Sequence, residues 1–102
     1  MEDLKNKDKT IKDIWQEVQT VFGKDYFSIV DFWESDNFAL GFKRDDKLVY
    51  VSTWHFRDSD GLNCFAEFEL IDAQTDETRE TFKTIEKITT SNLVDEIKSF
   101  IG

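Results

Sequence analysis

The fold of this chain is decided by residues 38 to 53, which read FALGFKRDDKLVYVST. Apolar and β-branched residues alternate on both sides of a short polar centre, a pattern typical of a β-hairpin. If Asp45 and Asp46 form a two-residue turn, Phe42 lies opposite Val49, because turn length sets the register of a hairpin. This register predicts one strongly apolar face, which we expect to carry the first helix, and a second face of small and aromatic residues.

A further strand is predicted at residues 64 to 71, CFAEFELI. Side chains alternate across a strand, so its even-numbered residues continue the apolar face and its odd-numbered residues continue the second face. The second face is therefore predicted to be aromatic and acidic. The residues that we expect to bind a partner are Tyr50, Trp54, Phe65, Glu67 and Glu69, with Asp58 and Asp60 of the preceding loop.

The first strand is predicted within residues 26 to 33, YFSIVDFW, and two registers are open. A turn of even length would direct Ile29, Asp31 and Trp33 toward the core. A turn of odd length would direct the even-numbered residues there instead. We prefer the odd turn, because it avoids burying the Asp31 carboxylate without a partner.

An N-terminal amphipathic helix is predicted at residues 9 to 22. Its apolar residues recur at i, i+3, i+4 and i+7, the period of one helix face. Asp8 or Thr10 is suited to cap its first turn, and Gly23 is suited to end it.

A C-terminal helix is predicted at about residues 92 to 101, with Ser91 as its N-cap. Residues 81 to 89 fit either a short edge strand or a helix, since Phe82, Ile85 and Ile88 have helical spacing in a threonine-rich context. We leave this segment open.

Together these elements predict an α+β fold in one compact domain over residues 1–102, a length that suits a single core. Its order is an N-terminal helix, a four-stranded antiparallel β-meander with 81 to 89 as the candidate fifth edge strand, and a C-terminal helix. Two arrangements of the C-terminal helix remain open. Either it covers the second face in a three-layer sandwich, or both helices share the apolar face and the aromatic and acidic face is free to bind.

The charge of the chain narrows the class of partner. Asp and Glu number 22 against 13 Lys and Arg, a formal net charge of −9. Ten of the acids and four of the bases lie in residues 25 to 71. This balance opposes binding to nucleic acid and to anionic membranes, and it favours a basic protein partner.

The single cysteine, the lack of a secretory signal pattern and the lack of a long apolar run lead us to expect a cytoplasmic protein.

Few side chains in this sequence are candidates for catalysis or metal binding. His55 and Cys64 are the only histidine and cysteine, and we expect a structural pair in the core rather than a catalytic dyad. Glu67 and Glu69 stand about 7 Å apart on one strand face, a separation that follows from the strand rise. We expect solvated carboxylates there, because glycosidase chemistry needs a deep cleft.

No zinc set, calcium loop or phosphate-binding motif is present in the sequence, so we expect no metal and no cofactor.

We therefore expect a small binding or inhibitory protein, and no enzyme. Immunity proteins and phage-encoded inhibitors that neutralise a basic target, such as a nuclease toxin, are examples of this class. The alternative is a non-catalytic structural or homodimeric domain. A small enzyme that uses His55 or the pair Glu67 and Glu69 is the least favoured reading.

Overall fold

The computed structural model describes residues 7–30, 37–56, 63–75 and 77–101, with only the backbone described at His55. Two α-helices enclose a run of five strands in the chain, which confirms the predicted α+β fold and assigns the open segment to a fifth strand. The elements are α1 (Lys9–Phe22), β1 (Ser28–Val30), β2 (Ala39–Arg44), β3 (Lys47–Ser52), a short 3₁₀ helix (Trp54–Phe56), β4 (Asn63–Ile71), β5 (Thr78–Thr89) and α2 (Thr90–Ile101).

The five strands form one antiparallel sheet in chain order. Phe42 pairs with Val49, as the hairpin register predicts. Val49 in turn pairs with Phe68, which lies on the apolar face as expected. Asp45 has a φ of 56°, a left-handed conformation that aspartate tolerates in turns. The two-residue turn at Asp45 and Asp46 is thereby confirmed, and it fixes which side chains share a face.

Both helices pack on the face that bears Phe42, Val49 and Phe68, called here the helix face. Trp15 of α1 lies against Phe42, with ring centroids 5.4 Å apart. Phe100 of α2 lies against Phe68 at 5.3 Å. Of the two arrangements left open by the sequence, the structure therefore has two layers, with both helices on one side of the sheet. The buried residues of this side form one cluster: Ile11, Ile14, Trp15, Val18, Phe27, Leu40, Phe42, Val49, Val51, Cys64, Ala66, Phe68, Ile88, Leu93, Ile97 and Phe100.

The opposite side of the sheet, called here the second face, has a small buried cluster of its own. Val30, Leu48 and Ile71 pack together there without a contribution from α1 or α2. Gly41 pairs with Val30 and carries no side chain of its own above this face. The second face is thus apolar at one end, and the residues toward its other end decide what it can bind.

Helix α1 is anchored by hydrogen bonds at its first turn. The Asp8 carboxylate accepts from the Thr10 backbone N–H at 3.0 Å and from the Thr10 hydroxyl at 2.5 Å. The Thr10 hydroxyl also lies 2.7 Å from the hydroxyl of Thr53, which is fully buried after β3. Since Thr10 donates its hydroxyl proton to Asp8, Thr53 donates to Thr10, and the chain of bonds joins the helix to the sheet. At the other end, Gly23 has a φ of 109° and its N–H donates to the Gln19 carbonyl.

The preferred register of the first strand is wrong. Ile29 pairs with Phe42, so Ile29 lies on the helix face and Val30 lies on the second face. Burial of Phe27 against Phe42, with ring centroids 5.1 Å apart, provides the apolar contact that selects this register. Asp31, whose burial the preferred register was meant to avoid, lies outside the described residues.

The residues that follow β3 leave the strand conformation. β3 stops at Ser52, and Trp54–Phe56 form the 3₁₀ helix, whose turn is closed by a bond of 2.9 Å from the Phe56 N–H to the Thr53 carbonyl. The Thr53 N–H still donates to the Phe38 carbonyl, so the hairpin pairing continues one residue beyond the strand. Trp54 consequently lies at the end of the sheet and not in the middle of a strand.

Strand β5 is longer and less regular than expected. It spans 12 residues, and its register against β4 shifts at three places, between Cys64 and Ala66, Phe68 and Glu69, and Leu70 and Ile71. Each shift adds residues on β5, the signature of a β-bulge. Helix α2 then begins directly at Thr90, two residues before the predicted start.

The prediction that Ser91 caps helix α2 is wrong. The Asn92 N–H donates to the Thr89 hydroxyl at 3.3 Å, so the side-chain oxygen of the last residue of β5 serves the first turn of α2. The helix therefore starts directly where the strand ends.

Replacing Phe42 by alanine tests the position of the core. Phe42 is fully buried between Trp15 and Phe27, so Phe42→Ala should lower the free energy of unfolding by about 3–5 kcal/mol. The matched control is Phe82→Ala, since Phe82 is 59% exposed and touches Phe100. Urea denaturation should show a loss of only about 1 kcal/mol in the control. Equal losses in the two variants would contradict the assigned core.

Replacing Asp8 tests the cap of α1. Asp8→Ala should lower the free energy of unfolding at neutral pH by about 1 kcal/mol, as for other N-caps. The hydrogen bonds from Thr10 hold the pKa of Asp8 below its ordinary value. The stabilisation is therefore present at neutral pH and is lost as the pH falls through the lowered pKa. Thermal unfolding from pH 7 to pH 2 should show the wild type and Asp8→Ala converging in acid, and a constant difference would argue against the cap.

Candidate functional site

The second face carries the group of residues expected from the sequence, and the structure brings four of them together. Tyr50 pairs with Glu67, and Ser52 pairs with Phe65, so strands β3 and β4 present these side chains as neighbours. The rings of Tyr50 and Phe65 meet edge to face with centroids 6.2 Å apart. We call Tyr50, Phe65, Glu67 and Glu69 the acidic–aromatic patch.

The two carboxyl groups of the patch differ in exposure. Glu67 is half-buried, whereas Glu69 is only 7% exposed and accepts a short hydrogen bond from the Thr78 hydroxyl. Burial raises the pKa of Glu67, and the hydrogen bond and the charge of Glu69 raise it further, while a hydrogen bond from Thr84 opposes the shift. Glu67 is therefore the more accessible carboxylate of the patch, and Glu69 is the buried one.

Three threonines of β5 border the patch, and the sequence did not lead us to predict them as part of the site. Thr84 pairs with Glu67, Thr81 pairs with Glu69, and Thr78 pairs with Ile71. Their spacing of three residues does not match the two-residue period of a strand, so alternation alone does not place them on one face. The bulges of β5 bring them into one row. The feature of the sequence that could have identified these residues is the repeat of threonine at every third position.

Trp54 lies after the end of β3, in the 3₁₀ helix, and not on the strands that carry the patch. Its side chain is 48% exposed at the end of the sheet, where its ring meets the edge of Phe38 with centroids 5.1 Å apart. Asp58 and Asp60, the remaining predicted members of the site, lie outside the described residues. The proposed pairing of the His55 side chain with Cys64 also lies outside them.

Cys64 belongs to the core and not to the surface. Its side chain is fully buried in the cluster beneath the helices. Burial raises the pKa of its thiol to about 12. Because the thiolate is the reactive form, the buried thiol is a poor nucleophile at neutral pH.

Two grooves are lined by described residues outside the patch. One, of about 220 Å³, lies between α2 and β5 and is lined by Phe68, Phe82, Lys83, Glu96, Ser99 and Phe100. The other, of about 320 Å³, is lined by Asp46, Leu70, Ile71, Arg79 and Glu80. No group of three or more candidate metal ligands occurs among the residues that the structure describes. Among the described residues, Tyr50, Phe65, Glu67 and Glu69 line neither of these two grooves and stand on the adjacent strands β3 and β4. Side chains presented on a sheet face suit contact with a macromolecule, whereas small ligands bind in concave sites.

Comparisons of the chain with protein-family models, curated proteins and solved structures found no match. In the described ranges, no helix is long and apolar enough to cross a membrane.

Chemical modification tests the placement of Cys64. Iodoacetamide at pH 8 should alkylate the native protein at least about 100-fold more slowly than the urea-unfolded protein, because the native thiol is buried and protonated. Mass spectrometry after timed quenching gives both rates. Similar rates in the two states would show that the thiol is accessible.

Proposed function

We propose that this chain is a small binding protein of inhibitory type, which holds a basic protein partner on its acidic–aromatic patch. The observation that carries the proposal is the placement of both helices on the helix face, which leaves the patch free of α1 and α2. Tyr50, Phe65 and Glu67 are each partly exposed.

The aromatic pair provides the contact area. Tyrosine and other large aromatic side chains contribute much of the binding energy at interfaces, because they bury a large area with few rotatable bonds. Tyr50 and Phe65 lie on the interior strands β3 and β4, each paired on both sides. Strands of this kind hold side chains in place more firmly than loops do, and a preorganised surface loses less entropy on binding.

Charge favours a basic partner. Glu67 lies beside the aromatic pair, and the chain has a formal net charge of −9. A negative surface speeds the encounter with a positive one and disfavours acidic proteins. A nucleic-acid-binding cleft is a common basic surface, so a nuclease toxin is a suitable target for an immunity-protein-like or phage-inhibitor-like protein.

The exposed Trp54 extends the proposed contact area at the end of the sheet. With 48% of its side chain exposed, it resembles the aromatic anchors found at interfaces. Asp58 and Asp60 follow it closely in the sequence and would add negative charge at this end. They remain part of the proposed surface on sequence grounds.

The alternative function is a structural or homodimeric domain, and the edge strand β5 is the natural place for two copies to pair. Its register shifts at three places, and it carries the charged residues Arg79, Glu80, Lys83, Glu86 and Lys87. Bulges and charges on an edge strand disfavour pairing with a second strand. This feature favours the binding function over a dimer formed through β5.

The first experiment identifies the partner by capture on the immobilised chain at low and high salt, followed by mass spectrometry. We expect a basic protein that is retained at low salt and released at high salt, because exposed charges are screened. Capture of no protein, together with a concentration-dependent dimer in solution, would contradict the binding function.

Variants then test the surface with the captured partner. Glu67→Lys should slow association, and Phe65→Ala should raise the dissociation rate, since charge acts on encounter and buried contacts act on the bound state. Asp95→Lys is the matched control, because Asp95 is exposed on α2 and its replacement changes the net charge by the same amount. Surface plasmon resonance measures both rates. An association rate that falls equally in Glu67→Lys and Asp95→Lys would show that the wrong face was chosen.

A further inference from the structure

A closed ring of hydrogen bonds ties the start of α1 to the open end of the β2–β3 hairpin. The Asp8 N–H donates to the Asn37 carbonyl at 2.8 Å. The next residue, Phe38, accepts from the Thr53 N–H at 2.9 Å. Side chains complete the ring, because the Thr10 hydroxyl donates to the Asp8 carboxylate and lies 2.7 Å from the Thr53 hydroxyl. Three segments that are distant in the sequence therefore meet at one place.

Thr53 is the residue through which this ring reaches Trp54. It follows β3 directly, it is fully buried, and its carbonyl accepts from the Phe56 N–H at 2.9 Å, the bond that closes the 3₁₀ helix. Trp54 is the first residue of that helix, and its ring meets the Phe38 ring edge to face with centroids 5.1 Å apart. Two supports of Trp54, the backbone turn and the Phe38 ring, therefore start from members of the hydrogen-bond ring.

The Thr10 hydroxyl is the side-chain link between α1 and the hairpin. It gives its proton to Asp8, so its oxygen accepts the proton of the Thr53 hydroxyl. Thr53 is fully buried, and leaving a buried hydroxyl without a partner is unfavourable. The Thr10 oxygen therefore stabilises the observed position of Thr53.

We propose that Thr10 is a positioning residue for Trp54, because its bond to Thr53 holds the 3₁₀ helix on the hairpin and keeps the Trp54 ring on Phe38. Thr10 lies on α1 and not on the strands that carry the patch. When the bond opens, the Thr53 hydroxyl turns toward water and the 3₁₀ helix moves with it. The opening is a property of the free protein. Its meaning for binding rests on the proposed function, in which a fixed Trp54 loses less entropy on contact with the partner.

Hydrogen exchange of the Phe56 amide in the free protein measures this opening, because that amide closes the 3₁₀ helix. In Thr10→Val, exchange at Phe56 should be about 2- to 10-fold faster than in the wild type, the factor expected for the loss of one hydrogen bond. The nuclear Overhauser contact between the rings of Trp54 and Phe38 should weaken in the same variant. The Val49 amide, in the interior of the sheet, is the reference for opening of the whole fold and should change less.

Two further variants control this measurement. Thr10→Ser keeps the hydroxyl and should restore the wild-type exchange rate at Phe56. Thr20→Val is the matched control, because Thr20 lies on the same helix and its hydroxyl donates to the Gln16 carbonyl, and it should leave exchange at Phe56 unchanged. Unchanged exchange at Phe56 in Thr10→Val would overturn the positioning role. An equal increase at Phe56 and Val49 would also overturn it, because the whole fold would then have lost stability.

Binding to the captured basic partner tests the consequence for function. Thr10→Val should raise the dissociation rate in the same direction as Trp54→Ala, whereas Thr10→Ser should not. Faster exchange at Phe56 with an unchanged dissociation rate would overturn the role of Thr10 in binding. Exchange is measured without the partner, so failure of the proposed function and failure of the positioning role give different results.

Discussion

The register of the β2–β3 hairpin is the constraint on which the rest of the structure depends. A two-residue turn at Asp45 and Asp46 sets Phe42 opposite Val49, and β4 extends the same row with Phe68. Since side chains alternate across a strand, a slip of one residue would exchange the two faces of the sheet. It would turn the large apolar residues away from α1 and α2 and bring Tyr50 and Glu67 beneath the helices. The core and the acidic–aromatic patch are therefore two results of one turn.

The sequence was sufficient where a single local signal determined the geometry. The hairpin turn, helix α1 and the alternation of β4 are of this kind, because turn length, helical period and strand period each allow one answer. It was insufficient where tertiary contacts choose between local alternatives. Burial of Phe27 against Phe42 selects the register of β1, and the bulges of β5 place Thr78 beside Glu69 at a spacing that no regular strand would give. For the candidate site, sequence alternation placed Tyr50 and Glu67 on one face but did not reveal how deeply Glu69 is buried.

Glu67 is the residue on which the proposed function depends most. As an accessible carboxylate beside Tyr50 and Phe65, it supplies negative charge to the surface proposed for a basic partner. Burial and the neighbouring Glu69 raise its pKa. A cationic side chain that approaches Glu67 would favour the ionised form, because an opposite charge lowers the pKa of a carboxyl group. Binding of a basic partner would therefore weaken as the pH falls.

The central claim is that both helices lie on the helix face, so that neither covers the acidic–aromatic patch. A nuclear Overhauser spectrum of isotope-labelled protein tests it most directly, because it reports proton pairs within about 5 Å of each other, close to the contact distances of packed side chains. The account predicts cross-peaks between the rings of Phe100 and Phe68 and between those of Trp15 and Phe42, with none from either helix to Tyr50 or Phe65. Cross-peaks from Leu93, Ile97 or Phe100 to Tyr50 or Phe65 would contradict it, because α2 would then cover the patch.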